Sequence, residues 1–179
     1  MTQEIYQRVI KFAGEKHKDQ KVPGTESNYL LHISNVAMEV IFAYQENDDF
    51  DINYAIQLAI LHDTLEDTET ETSELSEKFG EKVALGVEAL TKNENLASKE
   101  ERMLDSLNRI NGLQKEVGIV KLADRITNLQ EPPKHWGIDK IQNYLDEAKL
   151  ISEMLNNKNK YLNNRLETKI TEYKKHISR

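Results

Sequence analysis

The stretch Asp51-Ile52-Asn53-Tyr54-Ala55-Ile56-Gln57-Leu58-Ala59-Ile60-Leu61-His62-Asp63-Thr64-Leu65-Glu66-Asp67 decides how this chain folds. Ala55, Ile56, Leu58, Ala59, Ile60 and Leu61 leave almost no polar face on the helix predicted over Ile52 to Leu65. A helix that is apolar all round is a buried one. Asp51 is placed to cap its start. The helix runs straight into His62-Asp63, and polar groups at the end of a buried helix must find partners or bind something.

Working outward, nearly every segment reads with helical period. Ile5, Val9, Phe12 and Ala13 mark a first helix, which ends before a loop over Asp19 to Asn28 with the turn signal Pro23-Gly24. Ile33, Val36, Ala37, Val40 and Ile41 form the stripe of a second helix over about Tyr29 to Gln45. Beyond the central stretch come Thr72 to Phe79, closed by Gly80, and Glu81 to Thr91. Ser98-Lys99-Glu100-Glu101 has the form of a capping box and opens another helix. A helix over about Lys115 to Gln130 is stopped by Pro132-Pro133, and Ile138 to Leu155 and Tyr161 to Ile177 follow. The seam Leu162, Leu166, Ile170, Tyr173 and Ile177 predicts docking on the body, or pairing with a second subunit as a homodimer. The expected fold is all-α, with about eight to ten helices in one domain spanning 1–179: a core of about 1–155 and a C-terminal docking helix over about 158–178.

Composition narrows the function. The chain has 179 residues, no Cys, 7 Gly, 3 Pro and a net charge of −7. Without Cys there is no disulfide scaffold, thiol catalysis or Cys-ligated zinc. No apolar run approaches the roughly 18 residues needed to span a bilayer, and the first residues do not read as a signal peptide. The expectation is a cytoplasmic protein with no membrane partner. The acidic balance disfavours polymeric nucleic acid, whose affinity depends on Lys and Arg meeting phosphates. It leaves room for a small phosphorylated ligand held by a few local cations or a metal.

The chemistry-bearing constellation is His32, His62-Asp63, Glu66-Asp67 and Asp124. Imidazole nitrogen and carboxylate oxygen are good ligands for a divalent first-row metal. Two His and two Asp would leave positions open for water and a phosphate oxygen, the catalytic rather than the closed structural arrangement. Glu66 and Asp67 follow Asp63 by three and four residues, so on one more helical turn at least one stands on its side. A carboxylate beside an activated water can orient it and take its proton. Lys121, Asp124 and Asn128 form a polar line on their helix; the Asn suits a sugar or base, the Lys either Asp124 or a phosphate, and Arg125 is a further cation nearby. Each feature has a plainer explanation. A His-Asp dipeptide alone is weak, Lys121 as a solvated side chain or ion-pair partner is ordinary, and Glu66-Asp67 can be a polar helix exit. His17, His135 and His176 are expected at the surface or partly buried.

These motifs resemble the HD-domain metal-dependent phosphohydrolases, and more closely the hydrolase domain of the RelA/SpoT family with its small single-domain relatives. Leu61-His62-Asp63-Thr64-Leu65-Glu66-Asp67-Thr68 is similar to that family's central motif. Val120-Lys121-Leu122-Ala123-Asp124-Arg125-Ile126-Thr127-Asn128-Leu129 resembles its second, and Tyr29-Leu30-Leu31-His32 with the preceding Pro23-Gly24-Thr25 its first. The resemblance implies a helical fold around one metal, manganese in most members, held by His32, His62, Asp63 and Asp124. It implies water activation by Glu66 and Asp67, nucleotide contact by Asn128, and phosphate contact near Lys21. It implies removal of the 3′-pyrophosphate from guanosine tetra- and pentaphosphate (ppGpp and pppGpp). Two departures fall on the substrate side: Lys21 is followed by Val22 where the family often has Arg-Lys, and Asn28 stands where Pro commonly precedes the Tyr. The rival expectations are hydrolysis of another nucleotide, such as a monophosphate ester or the 2′-phosphate of NADPH, and a non-catalytic helical nucleotide-binding protein.

Overall fold

The computed structural model describes residues 3–177. They form α1 (Gln3–Lys16), α2 (Leu30–Glu46), α3 (Ile52–Leu61), α4 (Thr64–Asp67), α5 (Thr72–Phe79), α6 (Glu81–Leu90), α7 (Lys99–Asn111), α8 (Lys115–Asn128), α9 (Ile138–Met154) and α10 (Lys160–Tyr173), closed by a 3-10 turn over Lys174–His176. Among the described residues there is no strand, only one isolated antiparallel bridge between Lys21 and Asn28. Among the described residues no helix is long and apolar enough to cross a membrane. The all-α expectation holds.

Two inner helices, α3 and α8, touch each other and organise the rest. α3 contacts α1, α2, α6 and α8, and α8 contacts α2, α3, α6, α7, α9 and α10. On α3 the Asp51 side chain accepts from the amides of Asn53 and Tyr54, the predicted cap. Every α3 residue but Asn53 and Gln57 is buried. Each large aliphatic side chain so enclosed contributes about 1.5–3 kcal/mol. Gly86 lets α6 lie close against α3: a Cβ there would meet Leu58 at 2.6 Å and the Tyr54 hydroxyl at 2.7 Å. α8 is buried along both faces, Lys121, Asp124 and Arg125 included, where the sequence predicts one apolar stripe with a polar line opposite. Six neighbouring helices enclose it, so its polar line faces the interior rather than water.

The C-terminal seam is used inside this chain. Leu162, Leu166, Ile170 and Tyr173 are buried, and α10 rests on α8, α9 and α2. A charged clasp completes the contact. The Arg165 guanidinium donates to both oxygens of the buried Glu39 on α2, at 2.6 Å each. Replacing Arg165 by Met strands that carboxylate. The unfolding free energy should fall by about 1–3 kcal/mol, toward the lower end because Arg165 itself is partly solvated. A urea midpoint equal to that of the wild type would show that Glu39 does not depend on α10.

Candidate metal centre

The site begins where α3 stops. The helix predicted through Leu65 breaks at Leu61, because the chain tightens over His62 and Asp63. Asp63 sits at φ −100° and ψ 0°, the bridge region. The Thr64 hydroxyl donates to Leu61 O at 2.7 Å, and the one-turn α4 restarts with Asp67 N bonding Asp63 O. On a straight helix adjacent residues point about 100° apart. The break instead brings His62 Nε2 and Asp63 Oδ2 to 3.0 Å.

Two other helices supply the rest. His32, in the first turn of α2, has its Nε2 3.2 Å from His62 Nε2. Asp124, in the last two turns of α8, has Oδ1 3.4 Å from His32 Nε2 and 3.8 Å from His62 Nε2. His32, His62 and Asp124 are all buried and offer donor atoms within 4.8 Å of one another. Asp63 joins them through His62 and, at 3.7 Å, His32. Donors held about 2.0–2.2 Å from a shared cation lie about 3.0–3.5 Å apart in tetrahedral or octahedral shells. The observed separations meet that range or exceed it slightly. Two neutral imidazoles and two carboxylates also balance a divalent charge.

The surroundings aim these donors. His62 Nδ1 lies 2.9 Å from Ala59 O; that carbonyl can only accept, so Nδ1 keeps a proton and any lone pair the ring offers is on Nε2, facing the centre. Asp124 accepts from Lys121 Nζ at 3.3 Å and from the Asn128 amide. Tyr29 donates its hydroxyl to Asp63 Oδ2 at 2.5 Å and packs its ring, tilted, against His32. Burial alone would raise the Asp124 carboxyl, but Lys121 and the two imidazoles hold it well below the usual range. Asp63 is likewise lowered, His62 outweighing its desolvation. Burial and then Asp63 push the Tyr29 phenol far up, so it stays a donor.

The other predicted residues divide. Glu66 and Asp67 point to different neighbours from the single turn of α4. Glu66 pairs with Lys92 Nζ at 3.0 Å and with the Lys92 amide at 3.3 Å. Asp67 accepts from Gln20 Nε2 at 2.8 Å. Burial, with Asp63 next, raises the Asp67 carboxyl. Burial disfavours the Lys92 ammonium, but Glu66 more than compensates and raises it. Asn128 and Lys121 are drawn onto Asp124. Arg125, next in sequence, turns the other way: it is buried, donates to Glu147 at 2.9 Å and lies over the Tyr144 ring. Lys21 is exposed and pairs with Glu26 on the loop before α2. Of the histidines expected outside, His135 is exposed, whereas His17 and His176 are buried.

Sequence reasoning left Tyr29, Lys92 and Gln20 out of the site. Tyr29 stands three residues before His32, one turn earlier on the same face, which is a usable signal. Lys92 follows the end of α6, and nothing local marks its approach to Glu66, which lies 26 positions earlier. Gln20 reaches Asp67 across 47.

The HD domain family matches residues 10–158. The chain belongs to that family. It is 31% identical over 163 residues to the guanosine-3′,5′-bis(diphosphate) 3′-pyrophosphohydrolase MESH1 of Danio rerio, covering 88% of each chain. The Homo sapiens protein of the same name is 31% identical over 156 residues, 84% of each. The guanosine-3′,5′-bis(diphosphate) 3′-pyrophosphohydrolase of Aquifex aeolicus is 36% identical over 129 residues, 71% of this chain and 18% of that longer one. A solved structure of a metazoan orthologue of SpoT superposes with a TM-score of 0.81 at 22% identity, over 96% of this chain and 97% of that one.

The charge on His62 yields a prediction. Burial disfavours its imidazolium, but Asp63 and Asp124 prevail and raise it well above the ordinary value. A cation must displace that proton, because only the neutral ring offers a lone pair. Affinity for a divalent metal should therefore climb with pH through neutrality, by roughly tenfold per unit for one proton released. Calorimetric titration of the apo protein at several pH values measures this. A flat profile would remove His62 from the ligand set.

Proposed function

We propose that this chain is a metal-dependent pyrophosphohydrolase that removes the 3′-pyrophosphate from guanosine tetra- and pentaphosphate. Family membership and the names of the relatives support the reaction class and the substrate. The observation that carries the reading is the convergence of His32, His62, Asp63 and Asp124, with two further carboxylates on the next turn. We read residues 1–179 as one domain, with α10 as its docked C-terminal helix.

In this reading His32, His62, Asp63 and Asp124 hold one divalent cation, manganese by preference. Such an ion lowers the pKa of a coordinated water and offsets charge on the phosphate. Tyr29, Lys121 and Asn128 keep the two carboxylates aimed at it. Glu66 and Asp67 flank the attacking water, orient it and accept its proton. A new oxygen–phosphorus bond forms, the bond from phosphorus to the 3′-oxygen breaks, and that oxygen regains a proton as pyrophosphate leaves.

The substrate-side roles follow from where each cation is held. Lys92 holds the Glu66 carboxylate in place through its ammonium and its backbone amide. Lys21 on its exposed loop is free to trade Glu26 for a phosphate. Asn128 uses its remaining amide capacity on the nucleoside. Lys121 serves Asp124, and Arg125 is held by Glu147 and the Tyr144 ring. The net charge of −7 repels an anion at long range, so these local cations must overcome it.

Incubation with a nucleotide panel and manganese tests the reading. Intact pyrophosphate and a guanosine diphosphate are the expected products from guanosine tetraphosphate. Orthophosphate as the sole phosphorus product would overturn it in favour of a monoesterase. Asp124→Ala should abolish stoichiometric metal, measured by elemental analysis. Glu66→Gln should keep metal and lose turnover by about 10²–10⁴-fold, the usual worth of a positioned base; an undiminished rate would take Glu66 out of the mechanism.

A further inference from the structure

His17 is buried, with 1% of its surface exposed, and no step above uses it. It sits just past α1, and Gln20 lies one turn on. His17 Nδ1 is 2.5 Å from Gln20 Oε1, and Gln20 Nε2 is 2.8 Å from Asp67 Oδ2. The protons on this chain are dictated by its far end. An ionised carboxylate can only accept, so the Gln20 amide must turn its NH2 to Asp67 and its oxygen to His17. That oxygen also can only accept, so His17 carries its proton on Nδ1. Its Nε2 is buried and has no hydrogen-bond partner.

The backbone holds this arm rigid. Gln20 N bonds His17 O at 3.1 Å, Tyr29 N bonds Gln20 O at 2.9 Å, and the Asn28 side chain donates to the carbonyls of His17 and Lys18. The His17 ring also lies against Tyr29, with centroids 5.1 Å apart. The segment that aims Tyr29 at Asp63 therefore also aims Gln20 at Asp67. Asp67 needs such a hold: it stands on a helix of four residues, with Asp63 and Glu66 among its neighbours in the field.

We propose that His17 and Gln20 are positioning residues that orient the Asp67 carboxylate for its work on the attacking water. The inference rests on the role given to Asp67 above. Misplacing a reacting group by about 1 Å can cost on the order of 10²-fold. Gln20→Leu, which removes the donor and keeps the bulk, should lower kcat by about 10- to 100-fold with KM, metal content and Tm near wild type. His17→Phe should lower kcat in the same direction, and His17→Asn, whose amide nitrogen falls where Nδ1 was, should restore it.

A double-mutant cycle decides the matter. If Gln20 acts through Asp67, Gln20→Leu adds no further loss to Asp67→Asn. Independent, multiplying losses would overturn the proposal, as would a raised KM with unchanged kcat, which would make Gln20 a substrate contact. Equal activity of His17→Asn and His17→Phe would overturn the part given to His17. An Asp67→Asn enzyme at full rate would instead overturn the role of Asp67 itself, a failure distinct from the others.

Discussion

Two imidazole nitrogens and two carboxylates are pressed together inside a helical body, and most of the structure can be understood as the means of keeping them there. Burying such groups is costly unless they are hydrogen-bonded or paired. The cost is met locally. Ala59 O fixes one imidazole, Lys121 and Asn128 hold one carboxylate, and Tyr29 holds the other. A cation at their common point would complete the balance. The inner position of α3 and α8 follows from this arrangement: each must carry polar groups to the centre while its flanks are covered by apolar neighbours.

The break after Leu61 is the second constraint. A continuous helix has no way to turn adjacent side chains to one point, so His62 and Asp63 share a centre only because the chain leaves α-geometry there. The restart as a single turn then throws Glu66 and Asp67 to opposite neighbours, one toward Lys92 and the other toward Gln20. Two carboxylates adjacent in sequence thereby acquire separate partners and separate electrostatic surroundings. The loop before α2 performs a similar service. Asn28 uses its amide to tie the end of α1 and accepts from Leu30 N at the start of α2. These hydrogen bonds keep the loop anchored at both ends.

Much of this is legible in the residues themselves. Periodicity shows the helices, and the unbroken apolar run of Ala55 to Leu61 shows which is innermost, because burial leaves a mark at every position. His62 and Asp63 are legible for a related reason: polar residues at the end of a buried helix violate the apolar rule and so call for an explanation. The histidines show where such reasoning stops. His17 and His176 look like surface residues in sequence and are buried in the fold, since a lone imidazole in an amphipathic stretch carries no local sign of what covers it.

The amino-acid sequence by itself determined the all-α architecture, the buried central helix and the polar residues destined for its end, all of which depend on short-range spacing. Only the tertiary structure decided that His32, His62, Asp63 and Asp124 meet, that Lys92 faces Glu66, that Gln20 faces Asp67 and that Arg125 turns away from its neighbour Asp124. Those outcomes depend on where α2, α6 and the 17–28 loop lie relative to α3 and α8. The packing of whole helices sets such positions, and no pattern along the chain encodes the distance between residues that far apart.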